Sequence, residues 1–202
     1  MRSNDRGDSW EKISPNLDGR AFLKLSESPI DEKRLVAGGR KGIYFTSNGG
    51  GTWELRSEGL PRHTVTALIT SNHKPETVYV AMEGNSNRGP TSYLFVTSDF
   101  GKSWKSIGGG LPLETVYSVA EDPKTDGLLF AGTELGVYVS TDSGKTWNSL
   151  CNSLPPVPVY DLEVHARDSV LVAATHGLSI FSLEIGEVRD ATDAKVDQTD
   201  SN

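Results

Sequence analysis

An eight-residue phrase, Ser/Thr-x-Asp-x-Gly-x-x-Trp, occurs four times in this chain of 202 residues. The first copy carries Ser3, Asp5, Gly7 and Trp10, and the second Thr46, Asn48, Gly50 and Trp53. The third carries Thr97, Asp99, Gly101 and Trp104, and the fourth Ser140, Asp142, Gly144 and Trp147. The four tryptophans, all that the chain has, stand 43, 51 and 43 residues apart. A period of that size confines the chain to an architecture of stacked or circular repeats.

Each phrase follows a short apolar run, such as Gly42–Phe45 or Gly136–Val139, and precedes another, such as Trp104–Ile107, so it sits in a hairpin turn. The carboxylate accepts backbone N–H groups further along the turn, the glycine supplies a backbone position with φ > 0, and the tryptophan buries a large ring at the start of the next strand. Asn48 keeps the acceptor oxygen without the charge, which fits a structural role. The phrase resembles the Asp-box, or BNR, repeat. That family includes sialidases, xyloglucanase-type glycosidases, photosystem assembly factors and sortilin-type receptors, all of them β-propellers. The resemblance implies an all-β propeller of four-stranded antiparallel blades, and it leaves the chemistry open because function is grafted onto a shared fold.

The text between the boxes repeats in finer detail. Leu-Pro loops (Leu60-Pro61, Leu111-Pro112, Leu154-Pro155) precede alternating strands at Thr64–Ile69, Thr115–Ala120 and Pro158–Val164. Second runs follow at Arg34–Ala37, Thr77–Ala81, Leu128–Ala131 and Val170–Ala173. No segment has a helical period, and four strands per unit match a propeller blade. With strands lettered A to D from the axis outwards, the blades fall near 15–57, 58–108 and 109–152, and a fourth combines 156–188 with 1–14. The D strand Trp10–Ile13 is expected to complete that last blade, beyond which Ser182, Glu184 and Gly186 read as a decayed box lacking its tryptophan. Four blades make a small ring, so a homodimer or a larger parent chain stands as an alternative. The final unit, from Val157 to His165 and from Ala174 to Phe181, resembles the last blade of bacterial sortilin-type BNR proteins.

The propeller is expected to span 1–188, and 189–202, which lacks an apolar period, is expected to be a disordered acidic tail. The net charge of −7, with no basic patch, argues against nucleic acid. Cys151 is alone, and no signal segment or membrane span is apparent, so the reading is cytoplasmic by default and exported if the chain belongs to a longer protein.

Propeller ligands gather at the D–A and B–C loops, the face opposite the boxes. The candidates there are Arg40, Lys41, Arg62, His63, Glu114, Glu134 and His176. With them go Asn85, Asn87 and Arg88 in the one enlarged B–C loop, Glu83–Thr91, where solvated insertion is the plainer explanation. No aromatic platform stands among them. The box residues are read as structural, and one carboxylate per turn falls short of the six or more oxygens Ca²⁺ takes. His63, His73, His165 and His176 lack zinc spacing, and no metal or cofactor is expected. For glycoside hydrolysis, which needs two carboxylates, the pairs on offer are Glu121 with Asp122 and Asp161 with Glu163. The second pair shares one face of an inner strand. The Arg-Ile-Pro motif of sialidases is missing. The expected function is therefore a non-catalytic scaffold for a protein or glycan partner, and the alternative is a glycoside hydrolase or a fragment of one.

Overall fold

The computed structural model describes residues 1–17, 20–86, 89–150 and 155–199. Four antiparallel sheets follow one another along the chain. Blade one is β1 (Phe22–Glu27), β2 (Leu35–Gly39), β3 (Gly42–Thr46) and β4 (Glu54–Leu55). Blade two is β5 (Val65–Thr70), β6 (Val78–Met82), β9 (Tyr93–Thr97) and β10 (Lys105–Ser106), with the short hairpin β7 (Asn85–Ser86) and β8 (Gly89–Pro90) in its B–C loop. Blade three is β11 (Val116–Glu121), β12 (Leu129–Thr133), β13 (Gly136–Ser140) and β14 (Asn148–Ser149). Blade four has three strands, β15 (Val159–His165), β16 (Val170–Thr175) and β17 (Ile180–Glu184), and the helix α1 (Gly186–Thr199) follows it.

The core is layered between blades. Val36, Ile43 and Phe45 of blade one close on Val65, Leu68 and Val78 of blade two. Ala67, Tyr79 and Leu94 close on Val119, Leu129 and Trp147 of blade three, and Phe130, Val137 and Val139 close on Leu162, Val164 and Leu171 of blade four. Hence β2, β6 and β12 are buried along their whole length, whereas β16 alternates between buried and partly exposed. The face of blade one that looks away from blade two meets only a smaller layer, in which Ile13 and Leu17 cover Leu35, Tyr44 and Trp53.

Each box is one hydrogen-bonded device. In the third copy the Thr97 hydroxyl donates to Asp99 Oδ1 at 2.7 Å and accepts from the Gly101 amide at 2.8 Å. Asp99 accepts from the Ser103 amide at 2.9 Å and the Ser103 hydroxyl at 2.6 Å. The same set recurs around Asp5 and Asp142, and around Asn48 with the hydroxyl bond reversed, Asn48 Nδ2 donating to Thr52. The glycine must be one: at Gly101, φ is 86° and a Cβ would stand 2.5 Å from the Phe45 ring of the blade before. The indole N–H then ties neighbouring blades, donating from Trp53 to Ile13 O, from Trp104 to Arg56 O and from Trp147 to Ile107 O.

Two expectations need correction. The D strand near Trp10–Ile13 does not complete blade four. Arg2 and Glu11 pair with each other, and Arg2 reaches Gly49 O in blade one. Along the axis β1 packs on β5, β5 on β11 and β11 on β15, with no comparable packing from β15 back to β1. The decayed box keeps one link of the others. The Ile185 amide donates to Ser169 O just as the amides of Gly49, Phe100 and Ser143 donate to Lys33, Glu76 and Gly127. With no tryptophan to bury, the chain then turns into a helix where a D strand would begin. The supposed tail is thus helical as far as Thr199. Ile185 and Val188 join the last core layer, and the buried Arg189 donates to the buried Asp122 at 2.7 Å and also bonds Ser169 Oγ. Among the described side chains the helix is anchored by Arg189 and Val188, which leaves no apolar period to read.

Candidate functional site

Two hollows lie side by side on the face of the D–A and B–C loops. The larger, about 590 Å³, runs between blades one and two. Its cationic residues are Arg40 and Lys41 from the β2–β3 turn and Arg62 from the loop before β5, with His63 beside them. Leu55, Leu60, Pro61 and Met82 supply its apolar lining, and Glu58 is its one acid. The tight β2–β3 turn pairs Gly39 with Gly42 and so projects Arg40 and Lys41 outwards, both exposed. His63 lies against Tyr93, with ring centroids 5.0 Å apart.

The smaller hollow, about 290 Å³, shares Arg40 and adds Thr64, Thr66, Glu83, Thr115, Tyr117 and Glu134. The Tyr117 hydroxyl donates to Glu134 Oε1 at 3.3 Å, and burial together with the Glu134 charge pushes that phenol up to about 12. The Tyr117 ring meets Tyr160 at 4.6 Å, and Tyr160 meets His176 at 5.3 Å. An aromatic row is therefore present, contrary to the expectation drawn from the sequence. Its source is a bulge in every A strand, at Leu23, Thr66, Tyr117 and Tyr160, which breaks strict alternation and re-aims one side chain per blade. The signal available in sequence was the pair of Val-Tyr dipeptides, Val116-Tyr117 and Val159-Tyr160, at a spacing of 43 residues.

The enlarged loop is fastened at its base: Glu83 N donates to Thr64 O, Thr91 N to Gly84 O, and Gly84 N to the Thr115 hydroxyl. A Cβ on Gly84 would stand 2.1 Å from Thr91 O, so the insertion is pinched onto the next blade. The backbone of Asn85 lies in β7; Asn87 and Arg88, like Cys151 and Leu154, lie outside the described residues. Beside this base Glu114 is only 5% exposed, and among the described residues its carboxylate meets no close donor beyond the side chain of Thr133. Burial raises its pKa above the ordinary carboxylate range, and the charge of Glu134 adds to the effect.

The two carboxylate pairs considered for hydrolysis resolve differently. Glu121 accepts from Ser71 Oγ, the Asn72 amide and the Tyr79 hydroxyl, which staples blade two to blade three. Asp122, fully buried, caps the turn after β11 through the amides of Lys124 and Thr125. Asp161 and Glu163 are both exposed, as their alternation with Leu162 and Val164 predicts. Asp161 accepts from the next amide in the chain, and Glu163 lines a separate groove with Glu27, Thr70 and Asn72 near the A–B turns. Neither pair faces across a cleft. Among the described residues no cluster of three or more His, Cys, Asp or Glu is placed to hold a metal, and no helix is long and apolar enough to cross a membrane.

Comparison with known proteins places this geometry. The model of the Sortilin-Vps10 family, described as sortilin, neurotensin receptor 3, matches residues 1–111. No curated protein matches the chain. Among solved structures, an ancestral GH74 enzyme superposes with a TM-score of 0.65 at 20% identity, covering 84% of this chain and 24% of its own. The GH74 xyloglucanase from Xanthomonas campestris gives 0.65 at 12% identity, covering 83% and 30%. The extracellular domain of a hybrid two-component system from B. thetaiotaomicron gives 0.61 at 18% identity, covering 82% and 21%. At these identities the likeness shows the fold, that of a β-propeller, and this chain spans less than a third of the length of each structure.

Proposed function

The chain belongs to the Sortilin-Vps10 family, and from that premise we propose that it is a non-catalytic binding module whose D–A and B–C face takes an extended polypeptide. The observation that carries this reading is the groove between blades one and two, where Arg40, Lys41 and Arg62 stand around an apolar lining of Leu55, Leu60 and Met82. Cations around an apolar lining suit a segment that alternates apolar and acidic side chains. The apolar groups gain by leaving water, while the charges fix register and speed encounter. The description of the matching family as a receptor agrees with a ligand-binding role.

A second reading, a glycan-processing site, draws on the aromatic row at Tyr117 and Tyr160 and on the buried Glu114 next to Glu134. A carboxyl whose pKa is raised by burial is the kind of group that serves as a general acid. Fluorescence anisotropy with acidic-apolar peptides separates the two. Arg40→Glu with Arg62→Glu is expected to weaken binding at least tenfold, and added salt to weaken it further. Affinity that ignores both substitutions would sink the polypeptide reading. Oligosaccharide cleavage that disappears in Glu114→Gln would establish the other.

A further inference from the structure

Box two differs from the other copies at two adjacent positions. Its acid is replaced by Asn48, and the residue after it is Gly49, where the other boxes carry Arg6, Phe100 and Ser143. In chain order the four residues at that second position have φ of 61°, 67°, 58° and 60°, so the turn asks the same left-handed conformation of each. Gly49 meets it without the penalty that a β-carbon brings. Together the two changes make the one Asn-Gly pair in the sequence. Such a pair is chemically labile. A glycine amide has no side chain to hinder it, so it can attack the carbonyl of the asparagine side chain and close a five-membered succinimide.

The folded turn engages each group that this reaction uses. The nucleophile, the Gly49 amide, donates to Lys33 O at 2.9 Å. The side chain that carries the electrophile is held in one orientation, because Asn48 Oδ1 accepts from the Thr46 hydroxyl at 2.8 Å and from the Thr52 amide at 3.0 Å. The leaving nitrogen, Asn48 Nδ2, donates to the Thr52 hydroxyl at 3.0 Å. Ring closure therefore has to break the bond to Lys33 and rotate the side chain off Thr46 and Thr52. The lock is nonetheless at the surface. Asn48, Gly51 and Thr52 are exposed, so the turn can open locally without moving the core beneath it.

We propose that Asn48 and Gly49 form a spontaneous modification site, with water as the reactant, gated by the opening of box two. In the opened turn the Gly49 nitrogen loses its proton and bonds to Asn48 Cγ. The Cγ–Nδ2 bond breaks, and ammonia leaves with that proton. Water then adds to one of the two succinimide carbonyls. Cleavage between the Gly49 nitrogen and Cγ gives aspartate, and cleavage between that nitrogen and the main-chain carbonyl carbon gives isoaspartate. The two products meet the turn differently. Aspartate is the residue of the other three boxes, and its second oxygen takes the Thr52 hydroxyl as Asp99 takes that of Ser103. Isoaspartate routes the chain through the side chain and lengthens it by one methylene, which moves the Gly49 amide off Lys33 O.

The test follows residue 48 of the full chain by peptide mass spectrometry, which separates the asparagine, aspartate and isoaspartate forms. Samples age side by side in mildly alkaline buffer and in the same buffer with urea. Conversion is expected to be at least about tenfold slower in buffer, the factor that a modest cost of local opening imposes. Thr52→Val removes the acceptor of Nδ2. It is expected to convert faster than wild type in buffer and at the wild-type rate in urea. A Thr52→Val chain that fails to fold is expected to reach the urea rate in buffer as well. Gly49→Ser copies box four, where Ser143 holds the same φ, and is expected to stay folded by circular dichroism. Its side chain hinders the attacking nitrogen, so it is expected to convert far more slowly than wild type in urea. Absence of conversion in urea, or a Gly49→Ser rate there equal to wild type, overturns the site. Equal wild-type rates in buffer and urea overturn the gate, as does a Thr52→Val rate in buffer no faster than that of wild type.

Discussion

Asn48 is an internal control for the aspartates of the other three boxes. Its Oδ1 accepts from the Thr46 hydroxyl and the Thr52 amide, and its Nδ2 donates to the Thr52 hydroxyl, so the turn closes without a charge. Where aspartate stands, the hydroxyl and amide of Ser9 and the hydroxyl of Ser3 hold Asp5 down to about 2, and Ser103 and Thr97 do the same for Asp99. For Asp142, partial burial pulls upwards, but the bonds from Thr146 and Ser140 outweigh it and the net shift is down. A carboxylate whose folded pKa lies below its unfolded value of 3.8 adds stability above that value, and the contribution is lost as the pH falls towards about 2. Asp142→Ala, which strips the turn of its cap, is expected to cost about 1 kcal/mol at neutral pH, as other side-chain caps do. Asp142→Asn is expected to stay within a few tenths of wild type, roughly the scale of a surface change, and to lose less between pH 7 and pH 3. Urea midpoints at the two pH values check both, and equal losses for the two variants would contradict the cap. The aspartate, glycine and tryptophan of the device were legible because they recur. The hydroxyl in front of each tryptophan (Ser9, Thr52, Ser103, Thr146) recurs equally, yet its bond to the second carboxylate oxygen, or in Thr52 from the Asn48 amide, needs the folded turn to be seen.

At the scale of elements, the blade strands were readable from alternation and turn signals, while the features that overturned expectation are those that alternation cannot report. A bulge adds one residue, and so moves Tyr117 and Tyr160 out of the pattern that a period of two assigns them. Helix α1 hides in sequence for a different reason, being docked by an ion pair: Arg189 is the residue that stands where the decayed box lacks its tryptophan. Asp122 already caps its own turn with one oxygen, and Arg189 takes the other, with both side chains buried. Removing one partner of such a pair leaves a buried charge uncompensated. Arg189→Ala is accordingly expected to destabilise the chain by about 3 kcal/mol. It should also release the helix, seen as lost ellipticity at 222 nm. Asp122→Asn in the same chain is expected to recover part of that loss. A double variant whose cost equals the sum of the two single ones would show that the pair does not hold the helix.

The whole molecule is a row of layers, each made by two neighbouring blades, and stability in such a row is close to a sum over adjacent contacts. The layers differ in completeness. Those on either side of blade three bury aromatic and aliphatic side chains from both partners, whereas the outer face of blade one is covered by a smaller set around Ile13 and Leu17, and among the described residues no strand pairs with the outer edge of β17. Local opening should therefore start at both ends and reach the middle last, because each end blade has one neighbour to lose and a middle blade has two. Hydrogen exchange is expected to be slowest in β11 and β12 and faster by at least about tenfold in β1 and β17, the factor for roughly 1.4 kcal/mol of opening free energy. Uniform protection across the four blades would contradict the layered account.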